Sequence, residues 1–145
     1  MFLKEKKLIF LFAIAILVVV ALVIVPKNKK IIDVSMKESV THINIYKGPY
    51  TPIESDRVKS QLLAKEDIEK FINDFEKLDY KECYNRNEYK EEVPKGASVK
   101  VEFYDSDGNL IEDADYYPGY KLLIVGIYKI YVMKEDITEF FDSYF

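Results

Sequence analysis

The sequence has one cysteine, one histidine and no tryptophan. A single cysteine excludes an internal disulfide framework, and so few thiols and imidazoles exclude a metal site built from several Cys and His ligands. Only five glycines and five prolines occur among 145 residues, which excludes collagen-like and low-complexity chains. What remains is a chain with the length of one ordinary domain.

Charged and apolar residues divide this chain into two parts. Residues 8–25 are 18 consecutive positions without a polar side chain. Residues 1–30 contain six Lys and one Glu, a net charge of +5, whereas residues 31–145 contain 13 Lys, 2 Arg and 24 Asp or Glu, a net charge of −9. The sequence therefore joins a basic, apolar head to an acidic body. An acidic body argues against a nucleic-acid partner, which requires a basic surface.

The apolar run predicts a transmembrane helix over residues 8–25. Such a helix would be about 27 Å long, close to the ~30 Å hydrocarbon core of a bilayer. Lysines flank the run on both sides, and their ammonium groups can reach the lipid phosphates while their stems remain in the apolar layer. We therefore predict a basic head at 1–7, an anchor at 8–25 in contact with the lipid bilayer, and a basic stalk and lead-in at 26–38.

The sequence allows alternatives on two points: whether this segment is cleaved, and in which direction it crosses the membrane. A cleaved signal peptide has a shorter apolar region and small residues at its cleavage site, whereas this run continues to Val25 and is followed by Pro26. We therefore expect a retained anchor. Each flank has three Lys, so the positive-inside rule does not fix the orientation, but the short head favours a cytoplasmic N-terminus. The expected location is the cell membrane, crossed once, with the C-terminal domain outside the cytoplasm.

The body, residues 39–145, is predicted to be an α+β domain with an antiparallel β-meander sheet and two helices on one face. Alternating or β-prone residues predict strands at 40–46, 58–63, 99–104, from Leu110 onward, and twice within 120–133. Apolar residues at helical spacing predict one helix around 68–78 and another within 135–145. Residues 80–97 are predicted to be irregular.

Three short segments predict turns. Asp105–Asn109 has the composition of a hairpin turn between two apolar runs. Pro118-Gly119 suits a type II turn with Gly119 at the position that needs a positive φ. Gly126 predicts a tight turn or a bulge, and with it a division of residues 120–133 into two strands. Turns this short require antiparallel pairing of the strands that they join.

No group of residues predicts catalysis. Cys83 and His42 lie 41 positions apart without a nucleophile motif, so we expect a partly buried structural cysteine and an exposed histidine. Residues 105–107 resemble the start of a calcium loop, but Leu110 and Tyr116 occupy the positions where an EF-hand needs Gly and Glu. We therefore predict no catalytic, cofactor-binding or metal-binding residues, no cofactor, and no enzymatic activity. A weak calcium site at the acidic hairpin edge stays open.

Tyrosine is abundant, with 12 residues, and half of them fall in the predicted meander. Tyrosine combines a large rigid ring with a polar tip, which suits the binding of proteins or glycans. The alternative is that tyrosine is simply a good strand residue on a half-buried sheet. The candidate binding surface comprises Tyr104, Tyr116, Tyr117, Tyr120, Tyr128 and Tyr131.

Several segments together resemble small single-pass envelope proteins, of unknown function, from Gram-positive bacteria with AT-rich genomes. They are the lysine-rich head and anchor, the 19 Lys against 2 Arg, the Tyr-Asp-Ser-Asp-Gly-Asn-Leu-Ile hairpin, the Ile-Tyr-Lys-Ile-Tyr strand and the Lys-Glu-Asp-Ile helix start. The resemblance implies location and architecture, and it brings no catalytic residues.

Three functions follow as hypotheses. The first is a membrane-tethered, extracytoplasmic, non-enzymatic module that binds another protein or an envelope component. The second is an immunity-like inhibitor whose acidic face neutralises a basic toxin or hydrolase, which would make binding strongly salt-dependent. The third is a hydrolase of unrecognised type, which would require a deep pocket lined by converging carboxylates.

Overall fold

A computed structural model of the protein describes residue 31, residues 37–48 and residues 57–145. The predicted head at 1–7, the anchor at 8–25 and most of the lead-in at 26–38 lie outside the described residues. Within the described ranges, no helix combines the length and the apolar composition needed to cross a membrane.

The described residues form an α+β domain, which confirms the predicted class. In chain order its elements are β1 His42–Lys47, β2 Val58–Leu62, α1 Lys65–Phe75, β3 Tyr80–Asn85, β4 Val99–Tyr104, β5 Leu110–Tyr117, a 3-10 helix Pro118–Tyr120, β6 Leu122–Val125, β7 Lys129–Met133 and α2 Thr138–Asp142. The seven strands form one sheet in the order β2-β1-β4-β5-β6-β7-β3. Every neighbouring pair is antiparallel, and β4 to β7 form the predicted meander.

Both helices pack on the same face of this sheet. Strand residues alternate between the two faces, and the helix-side residues of β4 are Val99, Val101 and Phe103, all of which are buried. From α1, the Phe71 ring lies 6.2 Å from the Phe103 ring, measured between centroids. From α2, the Phe141 ring lies 5.7 Å from the Tyr116 ring of β5. The hydrophobic core therefore lies between this face and the two helices.

Helix α1 has the amphipathic pattern that this position requires. Its apolar residues recur at intervals of three or four, and Ile68, Phe71, Ile72 and Phe75 are all buried. Glu66 and Asp67 lie in its first turn, where the positive end of the helix dipole favours carboxylates. Burial of this stripe against the sheet, rather than helix propensity alone, stabilises the helix.

The structure corrects three sequence-based expectations. Tyr80–Asn85, expected to be irregular, forms β3 at an edge of the sheet and pairs with β7. Pro118-Gly119 begins a 3-10 helix instead of a type II turn, and the positive φ of 51° belongs to Lys121. The last helix spans only Thr138–Asp142, shorter than the predicted 135–145. Gly126, with a φ of 57°, does lie in a tight turn between β6 and β7, as predicted.

Within the described residues, a chain segment after β3 covers part of the face away from the helices. The chain must run from β3 at one edge back to β4, across β7, β6 and β5. After β3, the Tyr89 ring lies 5.5 Å from the Tyr84 ring, and on this face Ile130, which pairs with Tyr84, and Leu122 of β6 are buried. The segment after β3 therefore covers the part of this face over β6 and β7, and the part formed by β1, β4 and β5 carries mostly polar side chains.

Candidate functional site

The candidate site lies on the helix-free side of β1, β4 and β5. Strand register brings Asn44, Glu102 and Asp113 into one row, because Asn44 pairs with Glu102 and Glu102 with Asp113. The neighbouring row contains Tyr46, Lys100 and Asp115. We call these residues, together with the Tyr104 and His42 pair at the end of β4 and start of β1, the polar face.

Aromatic rings form one end of the polar face. The His42 and Tyr104 rings stack with their centroids 4.5 Å apart and their planes only 2° from parallel. The Tyr104 hydroxyl donates a 2.7 Å hydrogen bond to Oε2 of Glu102. This bond to the carboxylate, together with burial, raises the pKa of Tyr104 to about 12. His42, which we expected to be simply exposed, is half-buried in this stack.

A buried amide lies between the aromatic end and the charged part of the polar face. Asn44 is only 6% exposed, which is unusual for an amide side chain. Its Oδ1 accepts a 3.0 Å hydrogen bond from Nε2 of Gln61 on β2. The edge strand β2 therefore holds the Asn44 amide through this hydrogen bond.

Two carboxylates form ion pairs with one ammonium group in the charged part, and a third carboxylate belongs to the residue paired with that lysine. Nζ of Lys100 lies 3.4 Å from Oε1 of Glu102 and 3.6 Å from Oδ2 of Asp113. Asp115 lies beside Lys100 in the register, and burial raises the pKa of its carboxyl. The negative charges of Asp113 and Glu102 raise this pKa further, whereas Lys100 and Arg57 lower it. The three carboxylates of the cluster therefore outnumber the two cationic side chains beside them, Lys100 and Arg57.

The structure separates the six candidate tyrosines. Tyr104 and Tyr117 lie on the helix-free side and are half-buried. Tyr116 and Tyr131 point to the helices and are 0% and 1% exposed, so they are core residues and cannot contribute to a surface. Tyr120 and Tyr128 are 66% and 68% exposed, but they lie at opposite ends of β6. The six therefore do not form one continuous surface.

The other residues considered from the sequence have local roles. Oδ1 of Asp105 accepts backbone hydrogen bonds from Asp107 and Asn109, at 2.9 and 2.8 Å, and its Oδ2 accepts one from the Asn109 amide. These bonds hold the pKa of Asp105 below its usual value and close the predicted hairpin turn. The part of the chain that the structure describes contains no group of three metal-binding side chains. Cys83, expected to be partly buried, is exposed on the edge strand β3.

A cleft of about 700 Å³ lies between α1 and residues 37–41. Its lining includes the buried side chains of Val40, Ile68 and Ile72 and the charged side chains of Lys37 and Glu69. The carboxylates with raised pKa values, those of Glu112 and Asp115, are on the sheet and do not line this cleft. The cleft and the two carboxylates with raised pKa values therefore lie in different parts of the domain.

The charged residues of the polar face were not among the sequence-based candidates. Lys100 and Glu102 alternate with buried residues in β4, and Asp113 and Asp115 alternate in the same way in β5. With the hairpin turn at Asp105–Asn109, this alternation predicts a charged face opposite the core. The residue-to-residue register depends on a bulge near Tyr104, which alternation alone does not indicate.

Comparison with known proteins found no matching protein family, no similar curated protein and no similar solved structure. The function of the protein must therefore be inferred from the geometry of the polar face.

Proposed function

We propose that the protein is a membrane-tethered, non-enzymatic binding module outside the cytoplasm, whose polar face binds a cationic segment of an envelope protein. The anchor at 8–25 would hold the domain at the membrane, and the chain beyond it would act as the binding part. The observation that carries the proposal is the Lys100 cluster, in which three carboxylates lie beside two cationic side chains, Lys100 and Arg57, on the helix-free side of the sheet.

Electrostatics favour a cationic partner at this cluster. Burial raises the pKa of the Asp115 carboxyl, and Lys100 and Arg57 lower it by more than the neighbouring carboxylates raise it, so cationic groups stabilise the charged form of this cluster. A lysine or arginine from a partner would add the missing positive charge. The net charge of −9 over residues 31–145 would also attract a cationic protein over a distance and speed association.

The neighbouring rings supply contact area for the same partner. Tyr104 and His42 stack at one end of the polar face, and Nζ of Lys59 lies 5.5 Å from the centre of the Tyr46 ring near the other end. Aromatic surfaces beside carboxylates bind arginine and lysine side chains well, because the rings attract the cation and cover its stem.

The inhibitor hypothesis uses the same surface and stays a second candidate. It differs only in the partner, which would be a basic toxin or hydrolase, and the large negative charge of the body favours it. Loss of the partner's activity on binding would identify an inhibitor, whereas binding without such loss supports the first proposal. The hydrolase hypothesis is not favoured, because the cleft and the perturbed carboxylates are apart.

The experiment measures binding of a labelled oligolysine peptide to the full chain reconstituted in phosphatidylcholine vesicles. Asp115→Asn and Glu102→Gln remove one charge each from the polar face, and we expect about tenfold weaker binding, or about 1.4 kcal/mol. Glu139→Gln is the matched control, since Glu139 is an exposed residue of α2 on the other side of the sheet. Equal effects of all three variants would show general charge attraction and contradict a specific face.

The tether is tested with the same vesicles. A retained anchor predicts that the chain floats with the vesicles after an alkaline carbonate wash, which strips proteins bound only at the surface. Mature protein that begins near Lys27 and remains in solution would contradict the tether while leaving the binding assay interpretable.

A further inference from the structure

The turn between β6 and β7 exposes two large apolar side chains. Ile127 is 71% exposed and Tyr128 is 68% exposed, the two highest values among the large hydrophobic residues described. The turn is also fixed in place: the Gly126 N–H donates to the Asp113 carbonyl and the Arg86 N–H to the Tyr128 carbonyl, both at 2.9 Å. The fold therefore holds these two side chains outward, and we call Gly126–Tyr128 the hairpin tip.

Other exposed apolar residues lie at the same end of the sheet. Leu63, which follows the last residue of β2, is 64% exposed, and Leu110, the first residue of β5, is 51% exposed. Strand directions place the end of β2, the start of β5 and the hairpin tip at one end, since neighbouring strands are antiparallel. Four of the seven exposed large hydrophobic residues described therefore lie at this end, whereas Val58 and Tyr120 lie at the opposite end.

Strand β1 begins at this end of the sheet as well. Thr41, immediately before β1, donates its N–H to the Tyr104 carbonyl at 2.8 Å. Ile31 is 1% exposed and belongs to the hydrophobic core. Only residues 26–30 separate it from the apolar run that ends at Val25, and five residues span at most about 18 Å. If residues 8–25 are in the bilayer, the body lies against its surface.

We propose that the hairpin tip dips into the interfacial layer of the membrane and orients the domain on it. The proposal rests on the membrane tether of the proposed function. A tether makes the contact intramolecular, so that two apolar side chains are enough for a contact that would be weak in solution. Tyrosine suits this layer, since its ring enters the apolar region and its hydroxyl stays among the headgroups. With the strand ends at the bilayer, the sheet stands upright and the polar face remains open to a partner.

The absence of tryptophan allows a direct test, because one introduced tryptophan is the only one in the chain. Tyr128→Trp places this probe at the hairpin tip. Tyr120→Trp is the matched control, since Tyr120 is 66% exposed and lies at the opposite end of β6. The full chains are reconstituted in phosphatidylcholine vesicles with or without lipids brominated near the headgroup end of the acyl chain.

We expect blue-shifted emission and several-fold stronger bromolipid quenching for Tyr128→Trp than for Tyr120→Trp. Adding Ile127→Asp to Tyr128→Trp should abolish the shift, because it places a charge in the inserted turn. Chains that float with the vesicles while both probes are equally exposed would overturn the tip proposal and leave the tether intact. Chains that fail to float would overturn both. Protection of the tip probe only after addition of a protein partner would also overturn the proposal and assign the tip to that partner.

Discussion

Tyr116 brings a hydroxyl into the core and uses it to hold the start of α2. The hydroxyl donates to Oδ1 of Asp136 at 2.8 Å and accepts the Ile137 N–H at 3.0 Å. Oδ1 of Asp136 also accepts the Thr138 N–H at 2.9 Å and its hydroxyl at 2.6 Å. One buried phenol therefore joins β5 to the segment that positions α2.

Tyr116→Phe is expected to lower the free energy of unfolding by about 1–3 kcal/mol, because the buried Ile137 N–H loses its acceptor. Urea unfolding followed by circular dichroism measures the change. Tyr144→Phe is the control, since Tyr144 is only partly buried and its hydroxyl accepts a long 3.4 Å bond from Lys70. A loss no greater than that of the control would contradict the role given to Tyr116.

Tyr104 gives a pH-dependent prediction. Its pKa is about 12 in the folded protein, against an ordinary value of 10.0, mainly because its hydroxyl donates to Glu102. The folded state therefore favours the neutral phenol, and this stabilisation is complete below pH 10 and is lost as the pH rises towards 12. We expect the stability difference between the natural protein and Tyr104→Phe to shrink across this window. Urea titrations at matched pH values measure it, and a constant difference would contradict the Tyr104–Glu102 bond.

Sequence alternation identified which residues of β4 face the core, but it was insufficient for the tyrosines of β5. Val99, Val101 and Phe103 are the apolar members of an alternating run, and all three are buried. Tyr116 and Tyr117 are adjacent and chemically identical, so the pattern cannot tell which of them faces the helices. The register of the sheet decides, because Tyr116 pairs with Leu123 on the core side.

The edge strand β3 shows where sequence patterns fail to predict a secondary-structure element. An edge strand has one neighbour and little burial, and the middle residues of Tyr80–Asn85 are exposed. Without a buried face, selection for alternation is relaxed, so the sequence has no strand signal. Its partner β7 begins at Lys129, more than forty positions later, so no local turn indicates the pairing either. The meander, in contrast, was predictable because each of its turns is short.

The β6–β7 turn depends on the glycine at its first position. Gly126 has a φ of 57°, and a Cβ there would lie 2.4 Å from Oε1 of Glu112. Gly126→Ala is expected to lower the free energy of unfolding by about 1–2 kcal/mol. An alanine is strained in the left-handed conformation, and its Cβ displaces the Glu112 side chain.

The two contributions to this loss can be separated. Adding Glu112→Ala to Gly126→Ala removes the steric contact and should recover part of the stability, leaving the backbone cost. Urea midpoints of the single and double variants measure both contributions. No loss in the single variant, or no recovery in the double variant, would contradict this account of the turn.

For the molecule as a whole, a single ring cluster joins both helices to the sheet. The Phe75 ring of α1 lies 6.2 Å from Phe103 of β4, 6.0 Å from Phe140 and 6.4 Å from Phe141 of α2, measured between centroids. Phe75 is 0% exposed. Removing this ring therefore loosens three elements at once, and the described domain should respond as one cooperative unit.

Phe75→Ala is expected to cost about 3–5 kcal/mol, a large share of the roughly 5–15 kcal/mol of a typical domain. Phe145→Ala is the matched control, because Phe145 is 48% exposed and should cost far less. Urea unfolding of the full chain in detergent, followed in the far ultraviolet for backbone and in the near ultraviolet for tyrosine packing, measures both. Coincident transitions with an earlier midpoint for Phe75→Ala support one core that positions the polar face and the hairpin tip together. Separate transitions would mean that the helices and the sheet unfold independently, and they would contradict a single core that positions the polar face and the hairpin tip together.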